Sequence, residues 1–167
     1  MSSKFDMGRQ AVIVAGIAAL MLVSLPVAAQ SPRILDQTGN WVAFETAGWL
    51  GYSGNAEDGS RLEITCDVAH SLMPGPGGVS VIIAGSEPRA GAEVRLSTAG
   101  QTVVAVTAQQ PGWIDGRGCP GCEENFRTLW SMIRSGDVLV IESEGRRSTI
   151  PLEGTARLMP SGGCPSD

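Results

Sequence analysis

The stretch that decides the fold is "EENFRTLWSMIRSG" (residues 123–136). Phe126, Leu129, Trp130 and Ile133 recur at i, i+3, i+4 and i+7, which puts one apolar stripe along a helix. Glu123 and Glu124 stand at its start, where acids suit the positive end of the helix dipole, and Arg134 stands in its last turn. Gly136 follows and is expected to stop the helix as a left-handed cap. The spacing predicts a helix over residues 123–135, with the Phe126/Trp130 face packed on a sheet. A second, shorter helical turn is expected in "GTARLMPS" (residues 154–161), ended by Pro160.

Outward from this helix the chain reads as short strands. "WVAFET" (41–46) sets Trp41, Ala43 and Glu45 on one face and Val42 and Phe44 on the other. "RLEITCDV" (61–68) alternates Leu62, Ile64 and Cys66 against Arg61, Glu63 and Thr65, the pattern of a half-buried strand. "GVSVIIAG" is a β-branched core strand. "AEVRLST" and "QTVVAVTA" flank Ala99-Gly100, and "DVLVIES" and "RSTIPLEG" flank Glu144-Gly145, two hairpin signals. Pro151 donates no ladder hydrogen bond and so belongs at an edge or a strand end. "GYSGNAEDGS", "MPGPGG" and "QQPGWIDGRGCPG" read as loops. A parallel α/β fold needs helices between its strands, and one good helix does not supply them. The fold class expected is mainly β: an antiparallel β-sandwich or open barrel of about seven or eight short strands with one packed helix.

The N-terminal residues read as a signal peptide. Lys4 and Arg9 precede an uncharged apolar run from Ala11 to Leu25, and Val27 and Ala29 are small residues at −3 and −1 of a cut before Gln30. Pro26 breaks the apolar helix just ahead of that cut. The competing reading is an uncleaved anchor, since residues 11–29 come close to the ~20 that span a bilayer. Residues 1–29 are thus expected to be a signal peptide and residues 30–167 a single exported β-rich domain, periplasmic or secreted. The exported part carries ten arginines, no lysine and sixteen acids, a net charge of −6. An acidic domain without a basic run makes a poor partner for nucleic acid or an anionic membrane. Past Gln30 no apolar run approaches membrane-spanning length, so no insertion is expected after cleavage.

All four cysteines, Cys66, Cys119, Cys122 and Cys164, lie in that exported part. An even count in an oxidising compartment reads first as disulfides. "CPGC" directly before a helix also fits a reactive thiol pair, because C-x-x-C motifs and helix N-termini lower a thiol's pKa. Two features oppose that redox reading. Thioredoxin-type motifs sit in βαβ structure, and Glu123 and Glu124 disfavour a thiolate beside them. A zinc site built from all four cysteines is weaker than one built from two paired knuckles, and no metal or other cofactor is expected. Of the three possible connectivities, 119–122 with 66–164 is favoured, because a C-terminal tail gains most from being anchored.

Other chemistry has little material. His70 is the only histidine and reads as a solvated loop residue. "GYSGN" lacks the last glycine of a nucleophile elbow. Glu142, Glu144 and Glu153 cluster around a hairpin without forming a distinctive pair. Arg146 and Arg147 read as a solvated turn. Trp41 and Trp130 are expected in the core. Trp49 and Trp113 sit beside glycine or proline loops, where exposure would make them a partner surface.

From "RLEITCDV" through "FRTLWSMIRSGDVLVIESEGRRSTIPLEGTARLMPSGGC", the order is strand with cysteine, helix, strand, hairpin, strand, "LEGTARLM" and a terminal cysteine. This order resembles the small exported bacterial β-proteins of the invasion-associated locus B type, and is similar to the periplasmic accessory proteins of type VI secretion. The resemblance covers residues 60–167 and implies a periplasmic β-sandwich without catalytic residues. The expected function is a non-enzymatic envelope module that binds an unidentified envelope protein or ligand. A thiol–disulfide protein using Cys119 and Cys122 is the alternative.

Overall fold

A computed structural model describes residues 31–69 and 75–165. Residues 1–29, read as a signal peptide, and His70 lie outside the described residues. Ten strands and two helices follow one another: β1 (Arg33–Thr38), β2 (Trp41–Thr46), β3 (Trp49–Asn55), β4 (Arg61–Asp67), β5 (Gly75–Ile82), β6 (Glu93–Ser97), β7 (Thr102–Val106), β8 (Trp113–Asp115), α1 (Cys122–Ser135), β9 (Val138–Ser143), β10 (Arg146–Pro151) and α2 (Thr155–Leu158). They form a six-stranded sheet in the order β1-β2-β3-β4-β5-β8 and a four-stranded sheet in the order β10-β9-β6-β7. Every strand pairing is antiparallel. The architecture is the mainly β, two-sheet arrangement that the alternating segments predict.

One buried cluster joins the inner faces of both sheets to α1 and α2. Leu62, Ile64 and Cys66 enter it from β4, Val79 and Val81 from β5, Leu139 and Ile141 from β9. Helix α1 contributes Phe126, Leu129, Trp130, Met132 and Ile133, the expected stripe plus Met132. Trp130 meets Tyr52 edge-on, with ring centroids 5.3 Å apart, and its indole N–H donates to the Pro160 carbonyl at 2.9 Å. Trp41 is also fully buried, and its N–H donates to the Pro151 carbonyl at 2.7 Å. Burial of this kind contributes about 25 cal/mol per Å² of apolar surface, so the large aromatic rings carry much of the packing.

Both hairpins form as read. Ala99 and Gly100 sit at the turn closed by Thr98 and Gln101, whose N–H and carbonyl pair at 2.9 Å. Glu144 and Gly145 take φ of 53° and 75°, the double left-handed geometry that matches strand twist. Pro151 ends β10, an edge strand.

Several expectations are corrected. Among the described residues the strands number ten, where about seven or eight are expected. The three additional ones are β1, β3 and β8. Part of "GYSGNAEDGS" is β3, since glycines 51 and 54 make room for the Phe44 and Trp41 rings of the neighbouring strand. "MPGPGG" is the start of β5 from Gly75 onward, and "WID" within the third supposed loop is β8. Gly136 is not left-handed: it is extended at φ −89°, ψ 168°, and its N–H reaches the Met132 carbonyl. The left-handed glycine lies at the other end, Gly121, with φ 77°.

Candidate functional site

Two features compete for attention, an aromatic strip on the outside of the larger sheet and a groove beside the Cys119–Cys122 ring. The strip comes from strand alternation. Tyr52 of β3 and Ile114 of β8 point into the core. Trp49 and Trp113 stand an odd number of residues away on the same strands and so face outward. Both are half-buried.

A bulge in β5 brings them to one place. Thr65 pairs with Gly78 and Cys66 with Pro76, which leaves Gly77 as the extra residue. A bulge sets two residues against one on the partner strand. A Cβ at position 77 would strike the Trp49 ring, and one at position 78 would strike the Trp113 ring. The two indoles therefore lie over consecutive glycines of β5. Only residues without a side chain leave room for them there. The Trp113 N–H donates to Asp115 at 2.9 Å, which fixes that ring's orientation. The outward polar side chains of Thr65 and Glu63 on β4 share this face, and Arg61 reaches Ser53 with its Nε at 3.0 Å and ion-pairs with Glu63.

The loop after β8 is pinned to the same sheet. Arg117 donates to Asp67 at 2.9 Å, and the Asp67 side chain is almost wholly buried. The Gly116 N–H donates to the Gly77 carbonyl at 3.2 Å. Beyond this point the chain makes the cysteine ring. Cys119 and Cys122 are disulfide-bonded, with Cα atoms 5.4 Å apart, and Cys122 is the first residue of α1. Cys119 is exposed and Cys122 half-buried. Cys66 and Cys164 form the other bond, with Cα atoms 5.5 Å apart at a sequence separation of 98. No described cysteine is free, and no group of metal-ligating side chains assembles among the described residues.

The groove beside the ring was not legible in the sequence. Strands β7 and β8 are the terminal strands of their two sheets. Between these edges and the start of α1 opens a cavity of about 260 Å³, lined by residues that include Val103, Ala105, Ile114, Phe126, Cys119 and Cys122. Val104 and Val106 of β7 are 43% and 60% exposed at its rim. A hydrophobic run in a hairpin strand hides which residues end at a sheet edge, so nothing in "TVVAV" flagged it.

The acids around the β9–β10 hairpin are occupied by ion pairs. Glu142 meets Arg147 at 3.1 Å, and Glu144 meets Arg89 and Arg146. The Arg89 hydrogen bond holds the Glu144 carboxyl below its usual pKa. Glu153, the third acid singled out, follows β10 and has no role in this cluster. Arg146 also donates to the Ser86 carbonyl at 3.0 Å, so it ties the hairpin to the loop after β5 rather than standing in a solvated turn.

A family model described as YfjT matches residues 39–159. The chain belongs to the YfjT family. No curated protein and no solved structure matches it. The part that matches the YfjT model runs from the turn before β2 through α2. It contains Trp49, Trp113, Cys66, Cys119 and Cys122, while Cys164 lies beyond it. No helix among the described residues is long and apolar enough to cross a membrane.

Proposed function

We propose that this YfjT-family chain is a non-enzymatic, exported binding module of the cell envelope, stabilised by its two disulfides. The observation that carries the reading is the placement of Trp49 and Trp113 on one outward sheet face over Gly77 and Gly78. Indoles held against glycines present apolar area at low entropic cost, and aromatic anchors of this sort dominate protein interfaces. The disulfides suit an oxidising compartment, and the N-terminal sequence supplies a route there. The resemblance of residues 60–167 to exported β-proteins of the invasion-associated locus B type points to the same reading.

Two measurements test this. Residues 1–35 fused to a reporter that is active only outside the cytoplasm should give signal, and loss of Val27 and Ala29 should block cleavage. Affinity capture from the host envelope with residues 30–167 should retain a defined partner. Trp49→Ala with Trp113→Ala should release it while leaving the thermal transition cooperative. Cytoplasmic retention, or capture indifferent to both tryptophans, would contradict the proposal.

A further inference from the structure

We propose that Cys119–Cys122 is a thiol–disulfide exchange site that reversibly tethers a cysteine-bearing polypeptide segment with apolar and basic flanks. Three observations converge on it. The sulfur pair sits at the surface, with Cys119 exposed, whereas Cys66 is wholly buried. The ring forms one wall of the cavity between β7, β8 and α1, whose floor is Val103, Ala105, Ile114 and Phe126. The nearby charge is acidic on balance: Asp115 lines the cavity, and the exposed Glu123, which pairs with Arg127 at 3.8 Å, and Glu124 directly follow Cys122. An apolar floor with Asp115 in its lining and Glu124 close by complements a segment that is both apolar and cationic, and it disfavours anionic thiols.

The chemistry is a balanced exchange. A thiolate on the incoming segment attacks Sγ of Cys119. The Cys119–Cys122 bond breaks, a bond between Cys119 and the segment forms, and Cys122 leaves as a thiolate. One disulfide is lost and one gained, so no external oxidant or reductant is required. Cys122 opens α1 at an end where Gly121 supplies no side-chain cap. Helix N-termini favour thiolates, and Cys122 is the first residue of this helix. Attack of Cys122 back on Cys119 reverses the tether. The neighbouring glutamates, which weigh against a standing thiolate, keep the closed ring as the resting state.

The exchange needs neither indole, although Asp115 accepts from Trp113 and also lines the cavity, so either proposal can fail alone. The test uses the oxidised full-length chain and three synthetic single-cysteine peptides. One has Val/Ile and Lys flanks, one Ser/Gly and Lys flanks, and one Val/Ile and Glu flanks. Reactions are acid-quenched, alkylated and mapped by mass spectrometry. The expected result is a peptide adduct on Cys119 and a new alkylated thiol at Cys122, with Cys66–Cys164 intact. The apolar basic peptide should react at least tenfold faster than either control. Val106→Lys, an exposed substitution at the rim, should narrow that advantage severalfold. Absence of an adduct, an adduct formed as fast on Cys66 or Cys164, or equal rates for the three peptides overturns the proposal.

Discussion

The two disulfides do different physical work, although both join the same kind of side chain over almost the same Cα separation. Cys66 projects from the middle strands of the larger sheet into the core and holds Cys164 of the C-terminal segment. It closes a loop of nearly a hundred residues. Cys119–Cys122 closes a short ring on the surface, at a sequence separation of 3. In the chain-entropy account a cross-link stabilises by restricting the unfolded chain, and it does so more for a longer loop. The first bond is therefore a stability device. The second restricts little that its surroundings do not already fix. The loop before it is held by Arg117 on Asp67 and by Gly116 on the Gly77 carbonyl, and the helix after it is held by its buried stripe. A cross-link that contributes little to stability and stands in the open beside a cavity is free to serve chemistry.

Four measurements break or sharpen this contrast. The largest effect is expected from Cys66→Ala with Cys164→Ala, which should lower unfolding free energy by about 4–5 kcal/mol in urea titrations. A loss no greater than that of the surface pair would end the distinction. Next is Asp67→Ala, which removes the buried acceptor of the Arg117 clasp. Its cost should be about 1.5–3 kcal/mol, the range for hydrogen bonds to charged groups. The same titrations should show that Cys119→Ala with Cys122→Ala costs under about 2 kcal/mol by the chain-entropy relation. If it costs more than Asp67→Ala, the ring and not the clasp holds the loop.

The smallest effect at neutral pH is expected at Tyr52, which lies under Trp130. Burial raises the Tyr52 pKa to about 12 from 10. The folded state thus keeps a proton that the unfolded state gives up first. Stability from this term is whole below pH 10 and is lost as pH rises toward 12. Tyr52→Phe should be close to neutral at pH 7 and should flatten the alkaline decline. Titrations at pH 7, 10 and 11 check both halves, and an unchanged alkaline slope would place the decline elsewhere.

Legibility followed local periodicity. The α1 stripe, the faces of β2 and β4, and both hairpins repeat at 3.6 or 2 residues, so neighbouring residues alone declare them. Glycine-rich strands were misread for a physical reason. Gly51, Gly54, Gly77 and Gly78 look like loop punctuation in sequence, but each makes room for a ring from elsewhere. Trp41 and Phe44 come from an adjacent strand, while Trp49 and Trp113 come from strands on opposite sides of the β4–β5 pair. The helix end was misjudged in the same way. Gly136 reads as a cap by type, yet its extended backbone leads straight into β9.

The sequence by itself determined the elements that depend on near neighbours: a mainly β chain, one amphipathic helix, two tight hairpins, and four cysteines that all follow the apolar N-terminal run. Tertiary structure alone decided which strands end their sheets, and so where the cavity beside Cys119 opens. It also decided that Trp49 and Trp113, 64 positions apart in the numbering, rest on adjacent glycines. The division has one cause. Periodicity is a property of consecutive residues, whereas an edge, a bulge and a shared face exist only once distant strands choose their register.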